Sequence, residues 1–191
     1  GSIANYLAKP EVAPKHSAPS EYHIVANAQH AIDAAIAVAQ QQGWQTKVLG
    51  YDIQGEACEV AKAHAQQALA CRANGERVML FSGGELTVTV GKEYGDGGPN
   101  QEYLMALALE LNGVEGISAM ACDTDGVDGS KDVAGAYIDS STLHRAVAAG
   151  VSATELLASH NSHEFFGAID DLVITGPTNT NVNDFRAIII E

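Results

Sequence analysis

The feature that most constrains the fold is a regular alternation of short apolar runs and longer alanine-rich segments between residues 21 and 82. The apolar runs have the length of strands. The last of them, Arg77–Phe81, is nearly all apolar, as is typical of a strand buried on both faces of a parallel sheet. Apolar residues recur at helical spacing in the alanine-rich segments. The alternation therefore predicts a β-α-β-α-β unit in which helices connect parallel strands.

Capping residues mark the ends of the first predicted helix. Asn27 is a favourable N-cap, and Gly43 lies where a glycine commonly ends a helix. Together with the apolar runs, these signals predict strands at 22–26, 45–51 and 77–81 and a second helix at 56–72.

The second half of the chain has a different pattern. Leu86–Val90 alternates apolar and polar residues, which is typical of a half-exposed, antiparallel strand. Gly98 as N-cap followed by Pro99 predicts a helix that runs to Leu111. Further strands are expected at 116–122, 134–138, 172–174 and 186–190, and short helices at 142–149, 153–159 and 163–167. We predict an α/β fold with a mixed, mostly parallel sheet flanked by helices and an antiparallel element in the C-terminal half.

Composition limits the partners of this chain. Its 191 residues include 10 Lys+Arg and 24 Asp+Glu, which gives a net charge of −14. Nucleic acids and anionic membranes require clustered basic side chains, so we expect neither as a partner. The three cysteines show no metal-binding spacing, which favours reduced thiols and a cytoplasmic protein. An acidic chain holds an anionic substrate only where a cation or backbone dipoles compensate the charge.

Residues 1–20 predict no folded element. Gly1-Ser2 resembles the remnant of a cleaved expression tag. Pro10, Pro14 and Pro19 lie among polar residues, as in an extended linker. We expect this linker to follow an upstream segment.

Two glycine-rich stretches, Ser82–Glu85 and Gly95–Glu102, precede the helix that begins at Pro99. Glycines before a helix N-terminus expose N–H groups to an anion, and the helix dipole favours a phosphate or carboxylate there. The spacing matches neither the Walker A motif nor the dinucleotide-binding glycine motif. A glycine-rich hairpin with an ordinary helix cap is therefore the alternative.

Three aspartates, Asp123, Asp125 and Asp128, follow the strand predicted at 116–122, and Asp132 lies just beyond them. Carboxylates this close repel one another unless a cation, backbone donors or water relieves the repulsion. Val127 breaks the EF-hand pattern, whereas a Mg²⁺ ion shared with a nucleotide needs few protein ligands. Both a magnesium site and a solvated loop of caps and turns fit the sequence.

Residues 175–184 form a third polar loop, rich in Thr and Asn, between two predicted strands. Its neutral donors and acceptors suit hydroxyl and carboxylate groups, and a long polar turn is the alternative. His160, Asn161 and His163 lie near a helix boundary, which favours a capping role over catalysis. No nucleophile elbow, HExxH motif or Cys/His pairing is present, so covalent acyl transfer is disfavoured.

The three loops, taken in this order, resemble the C-terminal MOFRL domain of the glycerate 2-kinase family, whose members are also named hydroxypyruvate reductases. The resemblance covers residues 82–191, and residues 21–81 resemble the end of the larger N-terminal domain of the family. The matching stretches are Ser82–Val90, Gly97–Leu104, Ala121–Gly129, Ala134–Ala136, Asp171–Thr178 and Asn181–Asp184.

The resemblance implies a two-domain enzyme that phosphorylates the 2-hydroxyl of D-glycerate with ATP and Mg²⁺ in the cleft between its domains. This chain would be a C-terminal fragment that lacks most of the N-terminal domain and is inactive alone; a homodimer stays open. Many relatives carry Arg where this chain has Pro99, and that arginine is suited to clamp a phosphate or carboxylate. This role cannot be transferred to Pro99, and Arg186 is the cation that could replace it. The alternatives are an NAD(P)H-dependent hydroxypyruvate reductase, whose glycine motif is missing here, and a non-catalytic, metal-organised interaction module.

The same resemblance assigns roles to individual residues. The expected metal ligands are Asp123, Asp125 and Asp128. The expected catalytic residues are Asn100, Glu102, Asp125 and Arg186. The residues expected to bind the nucleotide or substrate are Gly84, Glu85, Gly97, Gly98, Thr178, Asn181 and Asn183. Phosphoryl transfer depends on positioning and charge compensation, so it needs no covalent nucleophile.

Overall fold

The part of the chain that the computed structural model describes, residues 21, 23 and 25–191, forms six helices and six strands. The helices are α1 (Ala28–Gln41), α2 (Ala57–Ala73), α3 (Pro99–Leu111), α4 (Thr142–Ala148), α5 (Ala153–Ala158) and α6 (Ser162–Ala168). The strands are β1 (Gln45–Glu56), β2 (Val78–Thr87), β3 (Ile117–Asp123), β4 (Gly135–Ile138), β5 (Leu172–Val173) and β6 (Asp184–Ile190). The linker predicted at 1–20 lies outside the described residues.

The first predicted strand, at 22–26, is only partly described. Tyr22 and Ile24 lie outside the described residues, while Val25 and Ala26 belong to no strand. The helix after them begins as the sequence predicts, because the Asn27 side chain accepts a 3.1 Å hydrogen bond from the backbone N–H of His30. Gly43, at φ +79°, follows its C-terminus. Gly98 is the N-cap of α3 and Pro99 its first residue, which confirms that prediction too.

The strand order is β1-β2-β6-β3-β4-β5. The α/β fold with a mixed sheet is confirmed, but the expectation of a mostly parallel sheet is wrong. Within the described residues, only β1 and β2 pair in parallel, and the other four neighbouring pairs are antiparallel. The cause is β6, the last strand of the chain, which lies between β2 and β3 and runs antiparallel to both. Local patterning does not show where a C-terminal strand inserts.

A second correction concerns β2. The sequence predicts a loop at Ser82–Glu85 and a separate strand at Leu86–Val90, yet β2 runs without a break from Val78 to Thr87. Its glycines allow a close approach to β1, because a Cβ atom on Gly84 would lie 2.2 Å from the backbone N and O of Ile53. The boundary expected between residues 81 and 82 therefore falls inside this strand.

Helix α3 is the centre of the main core. It packs against α2 on one side and contacts α4, α5 and α6 on the other, and most of its residues are buried. The opposite face of the sheet is covered by α1 alone among the described helices, through Ile32 and Ala39 against Phe81. No described helix is both long and apolar enough to cross a membrane. The N-terminus of α3 thus points toward the sheet edge where β2 and β3 end.

Candidate functional site

Three carboxylates from three separate strands meet at one edge of the sheet. Glu85 lies near the end of β2, Asp123 at the end of β3 and Asp184 at the start of β6. Because β6 is antiparallel to its neighbours, its first residue pairs near their C-terminal ends: Asp184 lies opposite Gly84 of β2 and opposite Asp123, the last residue of β3. One ligand oxygen of each of the three carboxylates lies within 4.8 Å of the others. We call Glu85, Asp123 and Asp184 the carboxylate triad.

Burial and the repulsion of neighbouring carboxylates raise the pKa of two members of the triad, Asp123 and Glu85. Partial burial raises the pKa of Asp123 to about 6, and the charges of Asp125 and Asp184 add to this effect. The pKa of Glu85 is also raised, first by desolvation and then by the negative charge of Asp184. Arg186 offsets part of this rise at Glu85, and a bound cation would relieve the repulsion that remains.

Asp184 is held by contacts from three directions. Its Oδ1 accepts a 2.6 Å hydrogen bond from Asn100 Nδ2, and its Oδ2 accepts from the backbone N–H of Leu86 at 3.3 Å and from Arg186 Nη2. Arg186 is 1% exposed and also donates to the carbonyl oxygen of Gly83 at 3.2 Å. Two of its three guanidinium nitrogens are therefore paired, with Asp184 and with the β2 backbone, and its Nε has no hydrogen-bond partner among the described residues. This placement fits a positioning role and not the phosphate contact expected for Arg186.

A buried polar chain continues below Arg186. Its guanidinium carbon lies 5.6 Å from the ring centroid of Tyr103, and the Tyr103 hydroxyl lies 2.9 Å from His64 Nδ1. Burial, with a smaller contribution from the positive Arg186, lowers the pKa of His64 to about 4. His64 is therefore neutral near pH 7 and pairs with Tyr103 without adding a second buried cation.

Asp128 lies at the N-terminus of α3 and outside the triad. Its Oδ1 accepts from the backbone N–H of Asn100 at 3.0 Å, and its Oδ2 accepts from the backbone N–H of Gln101 at 2.9 Å. The side-chain amides of the same two residues donate to it as well. Burial raises the pKa of the Asp128 carboxyl, and these hydrogen bonds oppose that effect. Both oxygens are thus occupied in capping α3, so Asp128 is not placed as the metal ligand that the sequence suggested.

Asp125 organises the acidic loop through turns and cross-loop contacts. Its Oδ1 accepts from the backbone N–H of Val127 at 2.9 Å, and its Oδ2 accepts from Asn181 Nδ2 at 3.3 Å. The backbone N–H of Thr178 donates to its carbonyl oxygen. Such contacts are those of an Asx turn. The structure therefore places Asp125 next to the triad and not within it.

The predicted ligand-binding residues of the Thr/Asn loop join this loop to the acidic one. Thr178 Oγ1 donates to the carbonyl oxygen of Thr124, and Thr124 Oγ1 donates to that of Asn183 at 2.8 Å. Asn181 and Asn183 also line a cleft of about 370 Å³ beside Asn27 and the start of α1. A role for these residues toward a ligand stays a prediction.

The glycines expected to bind a cofactor have evident packing roles. Gly84 lies against the β1 backbone, as described above. A Cβ on Gly98 would lie 2.2 Å from the carbonyl oxygen of Asp128, so a larger residue there would push away the carboxylate that caps α3. Gly97 lies equally close to Ser162, because its Cβ would be 2.1 Å from Ser162 Oγ.

Glu102 lies on the opposite side of the first turn of α3 from the triad. It is buried, and its carboxylate contacts His160 Nδ1 at 3.0 Å and Cys58 Sγ at 3.7 Å. With Gly97 and Gly98 it lines a second, smaller cleft. Of the predicted site residues, the structure thus brings Asn100, Glu85 and Asp123 to the triad, and places Glu102, Gly97 and Gly98 together at this cleft.

Asp184 is the residue that sequence reasoning missed. It lies within a matching stretch of the resemblance, at the start of a strand, but it is 61 residues from Asp123 in the chain, as their numbers show. The available signal is an acidic residue directly before the apolar run Phe185–Ile190. Only the insertion of β6 beside β3 makes that residue a neighbour of Asp123.

The fold and the triad define an α/β domain with a carboxylate cluster at one sheet edge, and comparisons with known proteins agree on its family. The description of the MOFRL family matches residues 78–184, and the chain belongs to this family. A D-glycerate 2-kinase of Thermotoga maritima is 34% identical over 90% of this chain and 42% of its own length. A protein of Agrobacterium vitis, whose name refers to hydroxypyruvate reductase, is 44% identical over 90% of this chain and 46% of its own length.

Solved structures give the same result. A crystal structure of glycerate kinase from Thermotoga maritima superposes with a TM-score of 0.86 at 33% identity, covering 93% of this chain and 44% of that one. The chain spans less than half the length of these relatives.

The triad fits the Mg²⁺ ion that the family resemblance implies. Mg²⁺ prefers oxygen ligands and is often bound through one or two carboxylates while it keeps several waters. Asp184 is fixed by buried contacts, Asp123 is half-buried, and Glu85 reaches solvent, so the site is both shaped and accessible. Glu85, Asp123 and Asp184 would therefore hold the ion, directly or through water.

Proposed function

We propose that this chain is the C-terminal half of a cytoplasmic glycerate 2-kinase that transfers a phosphoryl group from ATP to the 2-hydroxyl of D-glycerate. The observation that carries the proposal is the convergence of Glu85, Asp123 and Asp184 at one sheet edge in a member of the MOFRL family. The names of the glycerate kinase relatives supply the reaction. In this proposal the N-terminal half of the enzyme is absent from the chain, and the chain alone is inactive.

Charge compensation links the triad to this reaction. A Mg²⁺ ion at the triad would supply positive charge between the carboxylates and the phosphates, which neutralises charge that develops during transfer. Asn100 and Arg186 hold Asp184 in one orientation from below, so the carboxylate keeps its position when a ligand binds. The acidic chain thereby becomes compatible with two anionic substrates.

The N-terminus of α3 does not add a second compensating element for the substrate. Asp128 caps its first N–H groups, so the helix start is already satisfied by a protein carboxylate. We infer that α3 positions Asn100 toward Asp184 and does not itself bind the transferred phosphate. Any lysine or arginine side chains that contact the phosphates then come from the half of the enzyme that this chain lacks.

The test uses the longest natural polypeptide that contains this chain. Glycerate-dependent formation of ADP from ATP should require Mg²⁺ and should fall at least about a hundredfold in Asp123→Asn, the scale on which loss of charge stabilisation acts. Asp132→Asn, an exposed acid of the same loop, is the matched control and should keep its activity. Glycerate-independent ATP hydrolysis alone, or full activity in Asp123→Asn, would contradict the proposal.

The same polypeptide can be used to distinguish a hydroxypyruvate reductase from the proposed kinase. Oxidation of NADH with hydroxypyruvate, followed at 340 nm by its absorbance, should be absent. The described sheet has one parallel strand pair and offers no crevice between parallel strands of the kind that binds dinucleotides. Rapid, hydroxypyruvate-dependent oxidation would favour the reductase.

A further inference from the structure

A cleft of about 240 Å³ lies beside the first turn of α3, on the side away from the triad. We call it the α3 cleft. Its walls are largely apolar, and two of its side chains, Val90 and Tyr94, are 41% and 61% exposed. The other lining residues include the glycine-rich loop Gly95–Gly98, Glu102, His160 and Ser162.

The polar groups of the α3 cleft converge from two elements. Glu102, on α3, contacts Nδ1 of His160, so the imidazole is oriented by a buried carboxylate and its Nε2 lies on the far side of the ring. His160 has φ +51° because it follows the C-terminus of α5 as a left-handed cap: its N–H donates to the carbonyl oxygen of Leu157, and the N–H of Asn161 donates to that of Leu156. The cap and the contact with Glu102 together fix the position of the imidazole beside the cleft.

Ser162 provides an independent indication of a ligand. The residue is 1% exposed, and its hydroxyl has no hydrogen-bond partner among the described residues. It points toward Gly97, whose Cβ, if present, would lie 2.1 Å from Ser162 Oγ. A buried hydroxyl without a partner destabilises a fold by about 1–3 kcal/mol. Such a group is explained when a bound ligand supplies the missing partner.

Size and charge restrict the ligand. The cleft is smaller than the roughly 300–1,000 Å³ of sites for drug-sized molecules, so it suits a ligand of the size of a single ring system. No lysine or arginine lines it, and its two acids are Glu102 and Asp96, the latter paired with Lys131 at 2.9 Å. An anion therefore gains nothing there. Apolar walls with a hydroxyl and an imidazole favour a neutral heteroaromatic ring that both donates and accepts hydrogen bonds.

We propose that the α3 cleft binds the base of the nucleotide substrate. Ser162 and His160 would hydrogen-bond the edge of the ring, and Val90, Tyr94 and Pro99 would cover its faces. The first turn of α3 separates this cleft from the triad, since Gly98 abuts Asp128 and Asn100 contacts Asp184. A nucleotide with its base in the cleft would thus extend its phosphates past that turn toward the carboxylates. The identity of the ligand rests on the proposed kinase function.

Adenosine is the probe, because it lacks phosphates and does not depend on the triad or on the missing half of the enzyme. Titrated into the 191-residue chain and followed by ¹H–¹⁵N NMR, it should shift the amide signals of residues 90–98 and 160–163 and saturate with a dissociation constant of about 1 mM. Inorganic phosphate and glycerate, added separately, should not shift these signals. Shifts centred on residues outside these two segments, or no saturable shift, would overturn the proposal.

Two variants and one control sharpen the test. His160→Asn keeps the left-handed backbone and should weaken adenosine binding about three- to tenfold, the effect of one lost hydrogen bond. Ser162→Ala should weaken it similarly while its unfolding temperature stays equal or rises, a combination that a purely structural serine would not give. His144→Asn, at an exposed position of α4, should change neither. Unchanged affinity in both cleft variants would contradict the assignment.

The outcomes separate this proposal from the proposed function. Adenosine binding in the cleft together with an inactive longer polypeptide would leave the site standing and remove the kinase. Kinase activity without saturable shifts at the cleft would do the reverse.

Discussion

The acidic loop and the carboxylate triad contain the same kind of residue used in opposite ways. In the loop, Asp125 and Asp128 are close in sequence, and their oxygens accept hydrogen bonds from turns and from the start of α3. In the triad, Glu85, Asp123 and Asp184 come from three strands, and the charge of Asp184 raises the pKa of both Glu85 and Asp123, an effect that Arg186 offsets in part at Glu85. Clustering in sequence thus marks structural acids here, whereas convergence in space marks the candidate ligands.

The largest effect is expected from breaking the support of the triad. Arg186→Leu should lower the free energy of unfolding by about 3–5 kcal/mol, because it leaves the buried Asp184 without its cation. Urea-induced unfolding measures this. Lys131→Leu, which removes an exposed ion pair with Asp96, is the control and should lose no more than about 1 kcal/mol. A loss below about 1 kcal/mol for Arg186→Leu would mean that the ion pair does not hold Asp184.

The structural role of the loop gives the second prediction. Asp128→Ala should lower the free energy of unfolding by about 3 kcal/mol, because the backbone N–H groups of Asn100 and Gln101 would lose their buried acceptor. Asp125→Ala should lose less than about 1 kcal/mol, because the residue is only partly buried and its carboxylate accepts hydrogen bonds at an exposed turn. Equal losses in the two variants, measured by thermal and urea unfolding, would remove the distinction between them.

Acid should lower the stability of the fold through His64, which belongs to the buried polar contacts of Arg186 and Tyr103. The pKa of His64 is lowered to about 4, so the unfolded chain binds a proton below about pH 6.5 while the folded chain does not. The contribution of His64 to stability is therefore complete above about pH 6.5 and is lost as the pH falls toward 4, by about 3 kcal/mol.

His64→Gln isolates this effect, since glutamine can still pair with the Tyr103 hydroxyl but does not titrate. The stability difference between the variant and the wild-type chain, followed by urea unfolding from pH 7 to pH 4, should move in favour of the variant as the pH falls. A difference independent of pH would show that His64 is protonated as readily in the folded chain as in the unfolded one.

Asp123→Asn should have a smaller effect than the preceding variants, and it should stabilise the chain where they destabilise it. This gain should distinguish the triad from the acidic loop. The raised pKa of Asp123 means that ionisation destabilises the folded chain above about pH 6. Because this carboxylate is half-buried and water screens part of the repulsion, Asp123→Asn should stabilise the metal-free chain by about 1 kcal/mol at pH 8 and not at pH 3.5. The unfolding temperature would rise by about 2–4 °C. Asp132→Asn should leave it unchanged, and a lower unfolding temperature for Asp123→Asn would contradict the account.

Much of the fold follows from local patterns in the sequence. Asn27, Gly43 and the pair Gly98-Pro99 each end or begin a helix where capping chemistry places them. Two features of the fold are not predictable in this way. Gly83 and Gly84 suggest a loop but allow β2 to pack closely on β1, and the C-terminal strand β6 inserts beside β3. Both depend on contacts between segments distant in sequence.

The candidate site was less predictable for the same reason. Sequence reasoning identified Glu85 and Asp123, but it grouped Asp123 with its neighbours Asp125 and Asp128 because they repel one another in a short loop. The structure relieves that repulsion with backbone N–H groups. Arg186 was considered as a cation for the substrate, and its buried pairing with Asp184 could not be read from a one-residue gap in the sequence.

Binding of Mg²⁺ to the 191-residue chain, measured by isothermal titration calorimetry, tests the central claim most directly. The wild-type chain should bind one ion, Glu85→Gln and Asp123→Asn should each weaken binding at least about tenfold, and Asp125→Asn should change it less than about threefold. Loss of binding in Asp125→Asn with unchanged binding in Glu85→Gln and Asp123→Asn would place the ion in the acidic loop and contradict the assignment to the triad.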